Sequence, residues 1–294
     1  MTKYKYGTSG ADNIHSNSLY YDTEPTAVFA GAGNDTVIGG GGVDYLYGED
    51  GNDYLEDSSG FGALYGGNGN DILVAGAGQS TMDGGSGNDF FYFMNSSTGY
   101  FNVVGGDPGD TDVIVALASN TRIGLTSITG IDSISGGGFG NVTIGADPNG
   151  AYLDFTNVAL SGIASINGSD GADTIIGSAG NDLIIGGWLG DDVLQGGAGN
   201  DTLKGDGGTM MTGGTGADLF VCSAGTLATP LVVTDFNALD GDLIGLPNGS
   251  AWSAWDVAGG TQLVATFGAN KTRVMTLSGI TADQVQSSWF ITAT

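Results

Sequence analysis

Between residues 30 and 92 the chain divides without a gap into seven nonapeptides: AGAGNDTVI, GGGGVDYLY, GEDGNDYLE, DSSGFGALY, GGNGNDILV, AGAGQSTMD and GGSGNDFFY. No other feature restricts the fold as much. A fixed period implies one recurring supersecondary unit that buries its apolar surface only by stacking on its neighbours. In each unit a turn of six residues precedes a strand of three, and position eight is always apolar or aromatic: Val37, Leu46, Leu55, Leu64, Leu73, Met82, Phe91. The period of two along a strand puts positions seven and nine on one side and position eight on the other, so position eight faces inward. Two units per coil then stack into two parallel sheets across a thin core.

A second array runs from 168 to 221 as GSDGADTII, GSAGNDLII, GGWLGDDVLQ, GGAGNDTLK, GDGGTMMT and GGTGADLFV, with one insertion and one deletion. GTSGADNIH at 7–15 and ALSGIASIN at 159–167 are looser units and read as edges. Both arrays finish alike: residues 84–117 align with 213–247 with one residue of insertion. Val103 and Val104 thereby correspond to Val232 and Val233, and Asp110, Asp112 and Ile114 to Asp240, Asp242 and Ile244. The expected fold is all-β, a parallel β-roll (a solenoid) in two repeat arrays, each followed by a β-rich cap. Its parts are an N-terminal edge at 1–29, a first array at 30–92, a bridging β cap at 93–158, a second array at 159–221 and a C-terminal β cap at 222–294.

Composition narrows the function. The 57 glycines have no period of three, which excludes collagen, and 29 of the 32 acidic residues are Asp, which favours turns over helices. Six Lys and Arg oppose them, and the formal charge of -26 argues against nucleic-acid and anionic-membrane partners. At 40% hydrophobic the chain is too apolar for a permanently disordered polyanion, so something must neutralise the acids on folding. The single cysteine, Cys222, provides neither an intrachain disulfide nor a Cys-based zinc site and is expected as a small buried residue. The start shows no pattern of a cleavable signal peptide, and no run approaches the ~20 apolar residues of a membrane helix.

Turns 18 residues apart share an edge of the roll. Asp35, Asp53, Asp71 and Asp89 line one edge of the first array; on the other, Asp44 is followed by Gly62 and Ser80. In the second array Asp182, Asp201 and Asp218 line one edge, while the other offers Asp173 and Asp192, with Trp188-Leu189 inserted between them, and then Thr209. These units match GGxGxDxUx, and over about 130 of the 294 residues the sequence resembles the RTX (hemolysin-type) calcium-binding repeat proteins.

That resemblance implies a parallel β-roll whose turns bind Ca²⁺ through aspartates and backbone carbonyls of stacked turns. Carried onto this chain, it gives three sites along Asp35, Asp53, Asp71 and Asp89, two along Asp182, Asp201 and Asp218, and a further one at Asp173 and Asp192. The accompanying turn glycines are Gly31, Gly33, Gly51, Gly67, Gly69, Gly85, Gly87, Gly180, Gly197, Gly199, Gly214 and Gly216. Oxygen donors suit calcium better than zinc, and five ions would move the formal charge from -26 to -16.

The resemblance also implies export. The end, VMTLSGITADQVQSSWFITAT, is similar to the uncleaved C-terminal region recognised by type I secretion machinery, and it also reads as a final strand or short helix on the cap. The expected location is extracellular, with folding on calcium outside the cell. The leading functional reading is a surface-associated or glycan- or partner-binding module. The alternative is a carbohydrate-active enzyme, a lyase or epimerase on acidic polysaccharide, or an accessory module of one. Catalytic residues are not assigned. His15, the only histidine, sits at an outward position, and Lys3, Lys5, Arg122, Lys271 and Arg273 are scattered and expected to decorate strands. Tyr47 and Tyr65, with Tyr45, form an aromatic step that suits either sugar faces or cross-strand packing. The apolar outer positions Ile38, Tyr54, Ile72, Val74, Phe90 and Tyr92, and Leu183, Ile185, Leu219 and Val221, predict faces that are covered, a homo-oligomer being one means.

Overall fold

A computed structural model of the chain describes residues 2–16, 24–57, 61–78, 80–94, 98–223, 230–268 and 271–293. The parts of the expected edges and caps at 17–23, 95–97 and 224–229 lie outside them. The described residues form β-strands and two short 3-10 turns, so the fold is all-β as the repeats predict. Two compact units are present: Met1–Gly145 with Val158–Ala164, and Ala146–Asn157 with Ser165–Thr294.

In the first unit the strands pair in parallel at the expected spacing. Thr36–Ile38, Tyr54–Glu56, Ile72–Val74 and Phe90–Phe93 form one sheet, with Thr36 opposite Tyr54, Tyr54 opposite Ile72, and Ile72 opposite Phe90. In the facing sheet Tyr45 pairs with Ala63 and Ala63 with Thr81. Residues read from the sequence as a bridge carry the same rungs onward: Phe101–Gly106 pairs in parallel with Ser80–Ser86, and Val113–Ala116 with Phe90–Phe93. Every position-eight side chain, from Val37 to Phe91, is at most 1% exposed. The register cannot slip, because a shift of one residue would turn this whole apolar row to solvent.

The second unit repeats the pattern, with Ile175, Ile184, Leu194, Leu203, Met211 and Phe220 all fully buried. Its insertion and deletion cancel in the register. Thr174 pairs with Val193, 19 residues on, and Val193 with Met210, 17 residues on. The one extra residue is absorbed in an exposed bump, with Trp188 at 71% and Leu189 at 62%. Beyond Leu231–Val233 the ladder changes character: Lys271–Ser278 pairs with it in parallel, then Gly260–Phe267 and Ala251–Val257 add in antiparallel order. The segment expected as an export region is folded here. Trp289 packs on Phe236 with ring centroids 4.9 Å apart, and Phe290 on Trp252 at 4.5 Å.

The structure shifts the internal alignment by one residue. The inward valine is Val103 in one unit and Val233 in the other, each fully buried. Val103 faces Met82 across its sheet and Val233 faces Met211, so Val103 corresponds to Val233, and the inserted residue falls before both.

Candidate metal centre

The repeat turns occur in two backbone states, distinguished by the second residue of the unit. In the closed state the N–H of that residue donates to Oδ2 of the Asp at position six: Thr8 to Asp12 at 2.6 Å, Gly40 to Asp44 at 2.6 Å, Ser169 to Asp173 at 2.9 Å and Ser178 to Asp182 at 2.7 Å. This is the local side-chain-to-backbone bond that Asp makes in many turns.

In the open state positions two and four take positive φ: Gly31 and Gly33, Glu49 and Gly51, Gly67 and Gly69, Gly85 and Gly87, Gly187 and Gly190, Gly197 and Gly199, Gly214 and Gly216. Glycine permits that geometry at no steric cost, and Glu49, at φ 75°, is the one exception among these. Position two then joins the parallel ladder, Gly31 pairing with Glu49, Glu49 with Gly67 and Gly67 with Gly85. Its N–H is drawn away from the carboxylate.

The result is a row of orphaned oxygens. Oδ2 of Asp35, Asp53, Asp71, Asp89, Asp192, Asp201 and Asp218 is buried without a hydrogen-bond partner, on residues 0–2% exposed. Their other oxygens are engaged between coils. Asp35 N–H donates to Asp53 Oδ1 at 2.7 Å, Asp53 to Asp71 at 2.7 Å and Asp71 to Asp89 at 2.8 Å; in the second unit Asp182 donates to Asp201 at 2.8 Å and Asp201 to Asp218 at 2.9 Å. Each carboxylate is therefore held rigidly, with one oxygen fixed and the other offered to whatever sits in the turn.

What sits there is defined by position one. A methyl group built on Gly48 would collide with Asp53 Oδ2 and the carbonyl of Gly66, one coil on. Gly66 repeats this with Asp71 and Gly84, Gly84 with Asp89 and Gly105, and Gly196 with Asp201 and Gly213. Carboxylate and peptide oxygens thus converge on a space that a side chain would fill. Among the described residues no three His, Cys, Asp or Glu side chains converge, so a bound ion would draw most of its ligands from the main chain. Such an all-oxygen set fits a large, hard cation such as Ca²⁺, which accepts 6–8 oxygens in flexible geometry.

Electrostatics agree. Burial holds Asp53 and Asp71 up at about 6, and Asp89, Asp192 and Asp201 at about 7; inter-coil hydrogen bonds pull the other way and neighbouring aspartates push further up. Burial also raises Asp173, Asp182 and Asp218. Ionising these carboxylates without a counter-charge opposes folding.

The glycines expected to mark metal turns follow the same division, all lying in open turns except Gly180, whose turn is the closed one of Asp182. The ladder also reaches residues that the repeat pattern did not single out. Asp12 N–H donates to Asp35 at 2.7 Å, Asp89 to Asp112 at 2.9 Å, and Asp218 to Asp242 at 2.9 Å. Asp12 holds position six of the first loose unit, and Asp112 and Asp242 were already paired by the internal alignment, so the signal was present. Asp57 had no such signal. It stands at position one, where other turns have Gly or Ala, yet it is 2% exposed, and a methyl on Gly39 would approach both Asp57 and Asp44.

Other expected features settle elsewhere. Phe29, Tyr47 and Tyr65 stack face to face with centroids 4.8 Å apart and planes within 2–6° of parallel, which is the cross-strand packing of the two alternatives. His15 is exposed, as expected. Cys222 is 4% exposed and burial pushes its thiol up to about 11, which leaves it unreactive. Arg273, expected on a strand surface, is instead 7% exposed.

The model of the RTX calcium-binding nonapeptide repeat matches the chain in four copies, at 27–55, 65–94, 159–188 and 189–209. Among solved structures the chain is similar to the extracellular lipase LipA from Serratia marcescens, at 22% identity and a TM-score of 0.23, covering 92% of this chain and 40% of that one. This chain thus spans less than half of the lipase's length. No curated protein matches. Taken with the nonapeptide turns and the parallel coil they build, the four matched copies show that this chain carries RTX calcium-binding repeats in a calcium-binding β-roll.

Proposed function

We propose that the open turns are the calcium sites and that each ion joins two successive coils through a position-six carboxylate and the peptide oxygens around it. The observation that carries this reading is the coincidence, in the same seven turns, of positive φ at positions two and four with an orphaned buried Oδ2; in six of them, all but the turn of Gly187 and Asp192, the parallel ladder also runs through position two. On this reading Asp35, Asp53, Asp71, Asp89, Asp192, Asp201 and Asp218 are the ligating aspartates, and Asp173 and Asp182 close the ends of their rows. Counted between successive aspartates of a row, three along Asp35 to Asp89, two along Asp182 to Asp218 and a further one at Asp173 and Asp192, the expected stoichiometry is about five or six ions.

Calcium then acts as a folding switch. Without it the coil must bury ionised aspartates against one another; with it each becomes a ligand, and the binding free energy adds to the stability of the folded state. A chain with this property stays unfolded where calcium is scarce and folds where it is abundant, which suits passage through a type I secretion channel followed by folding outside the cell. The role is that of an extracellular module.

The test is far-UV circular dichroism of the metal-free chain during calcium and magnesium titrations. A cooperative gain of β signal with calcium only is expected, with a stoichiometry near five or six by calorimetry. A chain already fully folded without metal, or folded equally by magnesium, would overturn the reading.

A further inference from the structure

A cavity of about 380 Å³ lies in the second unit. Its floor is the outward row of one sheet, where Ile185, Lys204, Val221 and Gly245 pair in register. Pro247 and Ala293 add apolar wall, and the exposed Trp188 stands beside it. From the other side comes Arg273, on the strand Lys271–Ser278.

Arg273 is anomalous. It is 7% exposed, yet its Nε and Nη1 are buried without a hydrogen-bond partner. Its guanidinium rests 4.8 Å above the ring of Phe267, which fixes it without neutralising it. The chain has 32 acidic residues and only 6 basic ones, so a carboxylate partner would be easy to supply. The group that does adjoin it electrostatically is Cys222, whose thiol is held neutral by burial and supplies no counter-charge. A buried cation left this way opposes folding unless something from outside pairs with it. Lys204 and Ser223 also line the cavity, so positive charge and hydrogen-bond donors share its walls with apolar side chains.

We propose that this cavity is a binding site for a small organic carboxylate with an aliphatic body, its carboxyl group on Arg273 and Lys204 and its body against Ile185, Val221 and Pro247. A guanidinium pairs well with a carboxylate in a dry site, whereas a bare inorganic anion would leave the apolar wall unfilled. None of the proposed calcium-ligating aspartates lines the cavity, although Gly187 of the Asp192 turn borders it.

The test is isothermal titration calorimetry of the calcium-saturated full chain with octanoate, against 1-octanol, which keeps the body without the charge, and inorganic phosphate, which keeps charge without the body. Octanoate is expected to bind one to one, at least tenfold more tightly than either control. Arg273→Met is expected to weaken octanoate at least tenfold while leaving the calcium midpoint unchanged and the ligand-free melting temperature equal or higher. Octanoate that binds no better than 1-octanol, or does not bind, overturns the proposal in the unmodified chain, whatever the variant does. A ligand-free melting temperature that falls in Arg273→Met also overturns it, because Arg273 would then already have a partner.

Discussion

Replacing Asp71 by asparagine changes one oxygen into an amide and should move the protein in opposite directions with and without calcium. Oδ1 of Asp71 accepts the Asp53 N–H at 2.7 Å, and the amide oxygen can keep that bond. The orphaned Oδ2 is what changes. In the metal-free chain Asp71 titrates at about 6 instead of 3.8, so above pH 7 its ionisation opposes folding by at most ~3 kcal/mol, at 1.36 kcal/mol per pKa unit. Water at the turn edge screens this to about 1–2 kcal/mol. Asparagine removes that opposition, and its NH₂ would lie near the Gly84 carbonyl, where a hydrogen bond would contribute about 1 kcal/mol. The metal-free fold should therefore gain about 2–3 kcal/mol. In calcium the same NH₂ replaces an anionic ligand by a donor, and the calcium midpoint should rise at least tenfold, equivalent to ~1.4 kcal/mol or more. Folding induced by trimethylamine N-oxide in metal-free buffer, followed by circular dichroism, reads the first effect; a calcium titration reads the second. An Asp71→Asn chain that folds less readily without metal, or binds calcium as well as the parent, would refute the assignment of Oδ2 as an uncompensated ligand.

Three further outcomes follow from the same geometry. Because Asp53, Asp71, Asp89, Asp192 and Asp201 have folded pKa values raised to about 6–7, the metal-free fold should be most stable below about pH 4 and lose that stability as pH rises through 6–7. Its β signal without calcium should therefore grow on acidification from pH 8 to pH 5, and a flat profile would contradict the burial of these charges. Leu73→Ala removes a fully buried position-eight side chain and should lower the stability of the calcium-loaded protein by about 2–5 kcal/mol in urea unfolding; a smaller loss would mean that the coil closes over the gap. Gly67→Ala forces a side chain into φ +114° against the Glu49 carbonyl and should cost more than ~1 kcal/mol, whereas Gly10→Ala meets nothing within 4 Å and should be neutral or stabilising by about 0.4–1 kcal/mol in the same assay. Equal effects at the two glycines would show that the open-turn backbone is not required.

Much of the site was legible because it repeats. Position eight announced the core, and the fixed phase of the aspartates announced the rows. Asp112 and Asp242 could be found by aligning the two ends of the chain, although the valines there were misplaced by one residue, since two adjacent valines give no local sign of which one faces inward. Asp57 could not be found, because its approach to Gly39, in the turn of Asp44, depends on two turns stacking across coils. Arg273 was read as strand decoration, since nothing in its own neighbourhood reveals the sheet face that a later strand folds against.

The sequence alone determined the period, the inward row, the all-oxygen donor set and the need for a counter-charge, because all of these are local properties that recur every nine residues. Tertiary structure alone decided which turns open. GSAGND at 177–182 and GGNGND at 66–71 look alike as strings, yet one closes on its own Ser178 and the other presents an empty carboxylate oxygen. The difference lies in whether the neighbouring coil draws the second residue into its ladder, and that competition for a single N–H is settled only when the coils stack.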